Sequence, residues 1–174
     1  CIYMQTNSKT KGIIAAVRAR KTIYDILANY RTQGGSEEER EKYFPITLYC
    51  EGCKKDTTDI FSTDDSEMLI SYSCSSCGHR GSVDLKQATN VKLPWKIDWA
   101  MRWRYEDVVF EPGGKDHATA GGSFEVSSEI SKQAYHFVPP FFQPYEFIGL
   151  KGLTGKMSSS SGQLLTPRDV LEIY

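Results

Sequence analysis

The chain has 174 residues, of which 40% are hydrophobic and 25% are charged, and its formal net charge is −1 at pH 7. This composition is typical of a globular protein with one ordinary domain, or one small domain plus an insert. No window approaches the roughly 18 consecutive apolar residues of a membrane-spanning helix, and the opening residues, CIYMQTNSKT, lack the apolar region of a signal peptide.

The near-zero net charge conceals a basic segment at the start of the chain. Residues 1–34 contain six basic residues and one acid, Asp25, which gives a local charge of +5. Such a segment suits a polyanion, so nucleic-acid contact is one interpretation. The other interpretation is a solvated helix face that is balanced by acids elsewhere, such as Glu37, Glu38 and Glu39.

Apolar spacing over residues 11–31 predicts an amphipathic helix, and the glycines of TQGG are suited to its end. Ser36 stands three residues before Glu39, a capping-box pattern that predicts a short acidic helix ending before Pro45. Short β-prone runs follow (ITLY, MLISYS and GSVDL), with polar residues between them, and indicate a small insert.

Beyond Pro94 the chain predicts larger elements. A helical stretch covers residues 123–137, and the apolar run PYEFIGL, residues 144–150, predicts a strand. Thr166 is suited to cap a final helix with Pro167 at its first position. The alternation of strands and helices favours a parallel α/β unit.

Four of the five cysteines form two C-x-x-C pairs. These pairs are Cys50 with Cys53 and Cys74 with Cys77. Two tight turns brought together by a hairpin can supply four thiolates in a tetrahedron, so the spacing predicts a structural Zn²⁺ site. Gly52 and Gly78 are suited to the turns, and His79 is an alternative ligand that could replace one cysteine.

The segment GKMSSSSG, residues 155–162, is either a flexible linker or a loop that carries a lysine to a phosphate. It is not a Walker loop, because Leu150 and Met157 occupy positions that require glycine and Ser or Thr. Ligands collect after the strands of parallel α/β sheets, and a lysine there can stabilise charge that develops on phosphates.

The sequence KMSSS, residues 156–160, resembles the KMSKS signature of class I aminoacyl-tRNA synthetases, with Ser159 in place of the second lysine. Together with EPGGKDH, residues 111–117, and the cysteine-rich insert, it is similar to class I lysyl-tRNA synthetases. The resemblance implies a Rossmann-like α/β catalytic domain with a small zinc-ribbon-like insert. It also implies a cytoplasmic lysine–tRNA ligase that uses L-lysine, ATP with Mg²⁺, and tRNA(Lys).

The resemblance assigns roles to individual residues. It implies that the phosphates of ATP and the transition state of adenylate formation are contacted by Lys156, Ser158, Ser159 and Ser160. Further implied ATP contacts are Gly113, Gly114, Asp116, His117 and Met157. The implied lysine pocket consists of Trp95, Trp99 and His117, in a segment that also contains Trp103 and Asp98. Tryptophan faces attract cations and a carboxylate adds charge.

The resemblance divides the chain into four parts. Residues 1–45 are expected to be a helical connective region, 46–90 the zinc-binding insert, 91–165 the second half of the catalytic domain, and 166–174 the start of a helical region. Because no HIGH-type element is present, the resemblance implies that the first half of the catalytic fold is missing before Cys1, so we expect no activity from the chain alone. The resemblance also implies that the anticodon-binding part is missing after Tyr174. The alternative functions are a zinc-ribbon nucleic-acid-binding module without catalysis and a structural zinc domain that docks a partner.

Overall fold

A computed structural model describes residues 7–31, 35–146 and 166–173 of the protein. The helices of these ranges are α1 (Asn7–Arg18), α2 (Arg20–Asn29), α3 (Glu37–Lys42), α4 (Trp95–Tyr105), α5 (Ser123–Ala134) and α6 (Pro167–Ile173). The strands are β1 (Thr47–Leu48), β2 (Thr58–Asp64), β3 (Leu69–Cys74), β4 (Arg80–Asp84), β5 (Val91–Lys92), β6 (Phe110–Gly114) and β7 (Phe141–Tyr145). None of the described helices has the length and apolar character needed to cross a membrane.

The helix predicted over residues 11–31 is interrupted once. Ala19 lies between α1 and α2 with φ −91° and ψ 16°. Its N–H still donates to the Ala15 carbonyl at 3.0 Å, and its own carbonyl accepts from Ile23 at 2.9 Å. The prediction was therefore correct about the helical character of the segment and wrong about its continuity.

The helix-capping predictions are confirmed. Ser36 accepts a hydrogen bond from the Glu39 N–H, and the Glu39 side chain accepts one from the Ser36 N–H, so α3 begins with a capping box. Before α6, Thr166 Oγ1 accepts from the Asp169 N–H at 3.2 Å. Both helices begin where a short polar side chain satisfies a backbone donor that has no partner within the helix.

The strands form three small sheets. β1 and β5 pair antiparallel at the two ends of the segment that contains the cysteine pairs. Within that segment, β2, β3 and β4 form an antiparallel sheet in the order β2-β3-β4. The sheet buries Ile70, Tyr72 and Val83 on one face, and its apolar cluster includes Val17 of α1.

The third sheet confirms the predicted parallel α/β unit. β6 and β7 pair in parallel, with Phe110 opposite Phe141 and Gly114 opposite Tyr145, and α5 lies between them in the sequence. A parallel pair needs such a crossover connection. The strand predicted at residues 144–150 begins earlier, at Phe141, and residues 147–150 lie outside the described ranges.

Helices α4 and α5 pack against this unit and enclose the larger core. The core includes Ile97, Trp103, Val126 and Ile130, all at most 1% exposed. Close packing of the two helices is helped by small residues on α5, since Ser127 Oγ donates to the Lys96 carbonyl of α4 at 2.9 Å. α5 ends at Ala134, three residues before the predicted boundary.

Both basic residues of α2 are paired with acids from outside the helix. Arg20 Nη1 lies 3.1 Å from the Asp65 carboxylate, and Lys21 bonds to Glu41. Asp25 is the only acid of the basic segment. Its carboxylate forms an ion pair with Arg40 of α3. At Arg20 and Lys21 the structure therefore supports the interpretation of a balanced helix face, with Asp65 and Glu41 as the balancing acids.

The parallel pair depends on a close approach at Gly113, which is buried. A Cβ added at Gly113 would lie 2.6 Å from two ring atoms of Phe142. That ring packs against Phe124, with centroids 4.5 Å apart, and against Trp99. We predict that Gly113→Ala lowers the free energy of unfolding by about 1–3 kcal/mol, because the ring cannot move away without disturbing its neighbours.

Urea unfolding of Gly113→Ala, Phe142→Leu and the double variant measures this effect. The double variant should lose less free energy than the sum of the single variants, since the smaller side chain makes room for the new methyl group. Strict additivity would contradict the proposed clash.

Candidate functional site

The carboxyl ends of β6 and β7 lie at one edge of the sheet. Beyond β6 the chain enters a 3₁₀ turn, Lys115–Ala118, and beyond β7 it reaches Glu146. Lys115 Nζ lies 2.8 Å from Glu146 Oε1, so an ion pair joins the two exits. Ligands of open α/β sheets bind at this edge, because loops from neighbouring strands converge there.

The 3₁₀ turn carries two of the predicted ligand residues. Asp116 is exposed, and its backbone carbonyl accepts a hydrogen bond from Thr119 Oγ1 at 3.3 Å. His117 is half-buried and faces the aromatic side chains of α4. The backbone thus directs the carboxylate to solvent and the imidazole to the aromatic cluster.

Three tryptophans of α4 are four residues apart and share one helix face. Trp95 and Trp99 stack with centroids 5.2 Å apart, and Trp99 packs against Trp103 at 5.0 Å. His117 lies 6.3 Å from Trp95 and 5.7 Å from Trp99. The predicted pocket residues Trp95, Trp99 and His117 are therefore brought together.

Exposure separates the roles that the tryptophans can play. Trp95 is 54% exposed, whereas Trp99 is 7% and Trp103 is 0% exposed. Only Trp95 of the three presents a large area to solvent, so it can offer a ring face to a ligand. Trp99 supports that ring from behind, and Trp103 is part of the core.

Sequence reasoning assigned no role to Glu111. This residue lies on β6, and its Oε2 accepts a hydrogen bond from Trp103 Nε1 at 2.8 Å and from Trp99 Nε1 at 3.2 Å. The available signal was its position two residues before Gly113, which places both residues on the same, inward face of β6.

Asp98, in contrast, is less available to a ligand than the sequence indicated. Its side chain lies on α4 next to Trp99, but the residue is only 4% exposed. Arg102 Nε donates to Asp98 Oδ2 at 2.7 Å, one helical turn along. The charge that we expected Asp98 to add to the pocket is therefore paired within its own helix.

The four cysteine sulfurs form a compact group in the insert. All four lie within 4.8 Å of one another. Cys50 Sγ is 3.6 Å from Cys77 Sγ, and Cys53 Sγ is 3.6 Å from Cys74 Sγ. Sulfurs bound tetrahedrally at about 2.3 Å from one zinc ion would be about 3.8 Å apart. The cluster therefore has the dimensions of a site that could hold a metal ion.

The two cysteine turns have the same backbone geometry. Cys50 N–H donates to the Lys55 carbonyl and Cys74 N–H donates to the His79 carbonyl, both at 2.8 Å. In each turn the residue after the second cysteine has positive φ, 63° at Lys54 and 72° at Gly78. We predicted Gly52 and Gly78 as the residues suited to these turns, and only Gly78 uses the left-handed conformation.

Thr57 and His79 both contact Cys74 of the cluster, Thr57 through its hydroxyl and His79 through its backbone carbonyl. The Thr57 hydroxyl lies 3.6 Å from Cys74 Sγ, and its hydrogen bond lowers the pKa of the Cys74 thiol, a direction that favours the thiolate a metal needs. The His79 ring packs near Tyr72, with centroids 6.0 Å apart. His79 is not a member of the group of four potential ligands.

The predicted phosphate-binding loop lies outside the described residues. Its residues are Lys156, Met157, Ser158, Ser159 and Ser160. The structure describes the exit from β7 up to Glu146 and the chain again from Thr166. The roles of the loop residues stay predictions.

Comparison with known proteins agrees with the resemblance noted in the sequence. The family model described as tRNA synthetases class I (K) matches residues 2–174. The chain is 47% identical to a lysine–tRNA ligase of Treponema pallidum over 180 residues, which cover 99% of the chain and 34% of the relative.

Two further relatives are lysine–tRNA ligases of Borreliella burgdorferi and Thermococcus kodakarensis. They are 41% and 38% identical to the chain and cover 97% and 94% of it. The chain covers 31% and 30% of these relatives. It thus spans about a third of the length of the curated relatives that it matches.

The positive φ at Gly78 generates a prediction about the insert. A Cβ added at Gly78 would meet no atom within 4 Å, so Gly78→Ala changes only the backbone energy. We expect it to lower the free energy of unfolding by about 1–2 kcal/mol, the cost of a left-handed conformation for a residue with a side chain.

Gly52→Ala is the matched control, because Gly52 does not have positive φ and its added Cβ would make an ordinary 3.6 Å contact with His79. Its unfolding free energy should stay within about 0.5 kcal/mol of the parent. Urea unfolding of both variants makes the comparison, and equal losses would contradict the geometric difference between the two turns.

Proposed function

This chain belongs to the class I (K) tRNA synthetase family, and we propose that it forms the part of a lysine–tRNA ligase that binds ATP and the side chain of lysine. The observation that carries the proposal is the parallel pairing of β6 and β7. It brings the exit that carries Asp116 and the exit that leads to Lys156 to one edge of the sheet. The aromatic group of Trp95, Trp99 and His117 lies beside the first of these exits.

The proposed reaction begins with adenylate formation. The lysine carboxylate attacks the α-phosphate of ATP, a P–O bond to that phosphate forms, and pyrophosphate leaves with the electrons of the broken bond. The lysyl group then passes to the end of tRNA(Lys). Mg²⁺ bound to ATP would neutralise part of the phosphate charge.

The residues of the chain would divide this work between two groups. Gly114 and Asp116 would approach the ribose, since a carboxylate accepts hydrogen bonds from hydroxyl groups. The phosphates and their developing charge would be contacted by Lys156 together with Met157, Ser158, Ser159 and Ser160. Because the KMSSS sequence has one lysine, Lys156 would provide most of the electrostatic stabilisation.

Trp95, Trp99 and His117 would form the lysine side of the pocket. The exposed ring of Trp95 is suited to contact an ammonium group by a cation–π interaction, worth about 0.5–2 kcal/mol. Packing also explains why residue 113 is a glycine, because a side chain there would collide with the ring of Phe142. The role of Gly113 in the proposal is to keep β6 close to β7.

We also assign a structural Zn²⁺ to the four-cysteine cluster, on the basis of its sulfur separations and its two matching turns. Four thiolates complete a tetrahedral site, which leaves no coordination position for water or substrate. The ion would hold the two turns together and thereby fix the sheet of β2, β3 and β4. Its role would be stability of the insert.

Elemental analysis of protein purified without added metal should find about one equivalent of zinc per chain. Cys74→Ser should release the metal and increase hydrogen exchange in β3 and β4. Cys1→Ser removes the fifth cysteine, which belongs to neither C-x-x-C pair, and should retain the metal. A metal-free protein whose insert is as protected as that of the parent would refute the assignment.

The ligase proposal can be tested by exchange of segments. The region of the Treponema pallidum ligase that aligns with this chain is replaced by the chain itself, and lysine-dependent ATP–pyrophosphate exchange is measured. The chimaera should support exchange, and Lys156→Ala should slow adenylate formation by on the order of a hundredfold, about 3 kcal/mol, with little change in ATP affinity.

Lys151→Ala, five residues before Lys156 in the sequence, is the matched control and should leave the rate within about twofold of the chimaera, because the resemblance gives Lys151 no role. A folded chimaera without exchange would overturn the proposed function. A Lys156→Ala variant with the parental rate would support the interpretation that residues 155–162 are a linker.

A further inference from the structure

The carboxylate of Glu111 has an unusual environment for a charged group. Both of its described hydrogen-bond donors are neutral indoles, Trp99 at 3.2 Å and Trp103 at 2.8 Å. Within residues 7–31, 35–146 and 166–173, no Lys, Arg or His forms an ion pair with it. A half-buried carboxylate without a cationic partner is costly to keep in a protein.

The neighbouring acids differ from Glu111 in this respect. Asp98 on α4 is paired with Arg102 at 2.7 Å. Glu146 at the sheet edge is paired with Lys115. Glu111 is thus an acid next to the aromatic cluster whose charge no described ion pair compensates, and unlike the exposed, likewise unpaired Asp116 it is half-buried and bonded to two of the cluster's indoles.

The indoles connect this charge to the exposed part of the cluster. Glu111 holds Trp99 by its ring nitrogen, and Trp99 stacks on Trp95 with an angle of 22° between the ring planes. A hydrogen bond to an anion polarises its donor, so it increases the electron density of the Trp99 ring. A cation near Trp95 and His117 would meet an electron-rich aromatic surface with a negative charge behind it.

We propose that Glu111 is a positioning residue that selects a cationic side chain at the Trp95–His117 surface. It does so by fixing Trp99 and by supplying the negative charge that the ligand ammonium compensates. This inference rests on the proposed function for the identity of the ligand, lysine. It adds a residue to which neither the resemblance nor the pocket prediction gave a role, and a reason why a neutral side chain of similar length is disfavoured.

The test compares two ligands that differ in charge. The 174-residue chain is titrated with L-lysine and with L-norleucine, which lacks the side-chain ammonium, at constant ionic strength. The indole N–H resonances of the tryptophans and the ring resonances of His117 report binding by NMR. Lysine should bind more tightly than norleucine and should shift the Trp95 and His117 signals.

Glu111→Gln keeps an acceptor oxygen for the indoles and removes the charge. It should weaken lysine binding by about tenfold, the order that Coulomb's law gives for removing one nearby unit charge in a medium of intermediate dielectric constant, and leave norleucine binding unchanged. Glu106→Gln removes an exposed acid at the end of α4 and should change neither affinity.

A second variant guards against misfolding of Glu111→Gln. Trp103→Phe removes the shorter hydrogen bond but leaves the Glu111 charge in place. It should keep the preference for lysine over norleucine within about twofold of the parent, since the charge and the Trp99 bond persist.

Three results would overturn the inference. The first is an equal loss of affinity for lysine and norleucine in Glu111→Gln, which indicates a purely structural role. The second is unchanged affinity for both ligands in that variant, and the third is no NMR response of the parent chain to lysine. The exchange assay of the chimaera decides the proposed function separately, so an active chimaera with any of these results would retain the function and remove the role of Glu111.

Discussion

The parallel pairing of β6 with β7 is the constraint on which the candidate site depends. A parallel pair requires a crossover, and α5 provides it by packing on α4 through buried serines such as Ser127. The pairing also requires Gly113, because any side chain there would enter the Phe142 ring. Once the strands are in register, their carboxyl ends lie at one edge, where Lys115 and Glu146 form an ion pair.

The aromatic cluster is the second consequence of that arrangement. α4 presents its tryptophans to the inner face of β6, where Glu111 accepts hydrogen bonds from two of them. The 3₁₀ turn after Gly114 then brings His117 against Trp95 and Trp99. The proposed ligand surface lies where a helix face, a strand and a turn converge, and each would contribute one kind of interaction: ring faces, charge and an imidazole.

The cysteine cluster depends mainly on hydrogen bonds between residues that are close together in the chain. Its two turns repeat the same hydrogen bonds around Cys50 and Cys74, and β3 and β4 place the second turn between them. The insert is joined to the rest of the chain at the β1–β5 pair, by Val17 in its apolar cluster and by the ion pair of Arg20 with Asp65. These contacts give a small segment with few apolar residues a defined attachment.

The sequence predicted features that depend on short-range chemistry. The capping box of α3, the cap of α6, the paired cysteines and the order of α5 and β7 all follow from residues close together in the chain, whereas β6 was not assigned. β2 was missed, because its residues are mostly exposed on both faces and show little apolar alternation. α4 was not assigned either, although Trp95, Trp99 and Trp103 recur at the helical spacing of four.

By itself the sequence determined which residues could do chemistry: two cysteine pairs, a tryptophan-rich segment, a Gly-Gly turn with Asp116 and His117, and a lysine among serines. Only the tertiary structure decided which of the described ones lie together. It paired Asp98 with Arg102, left Trp95 exposed and Trp99 covered, and placed Glu111 behind them. The physical reason is that burial and charge compensation depend on contacts between distant segments, and residue type and spacing do not specify those contacts.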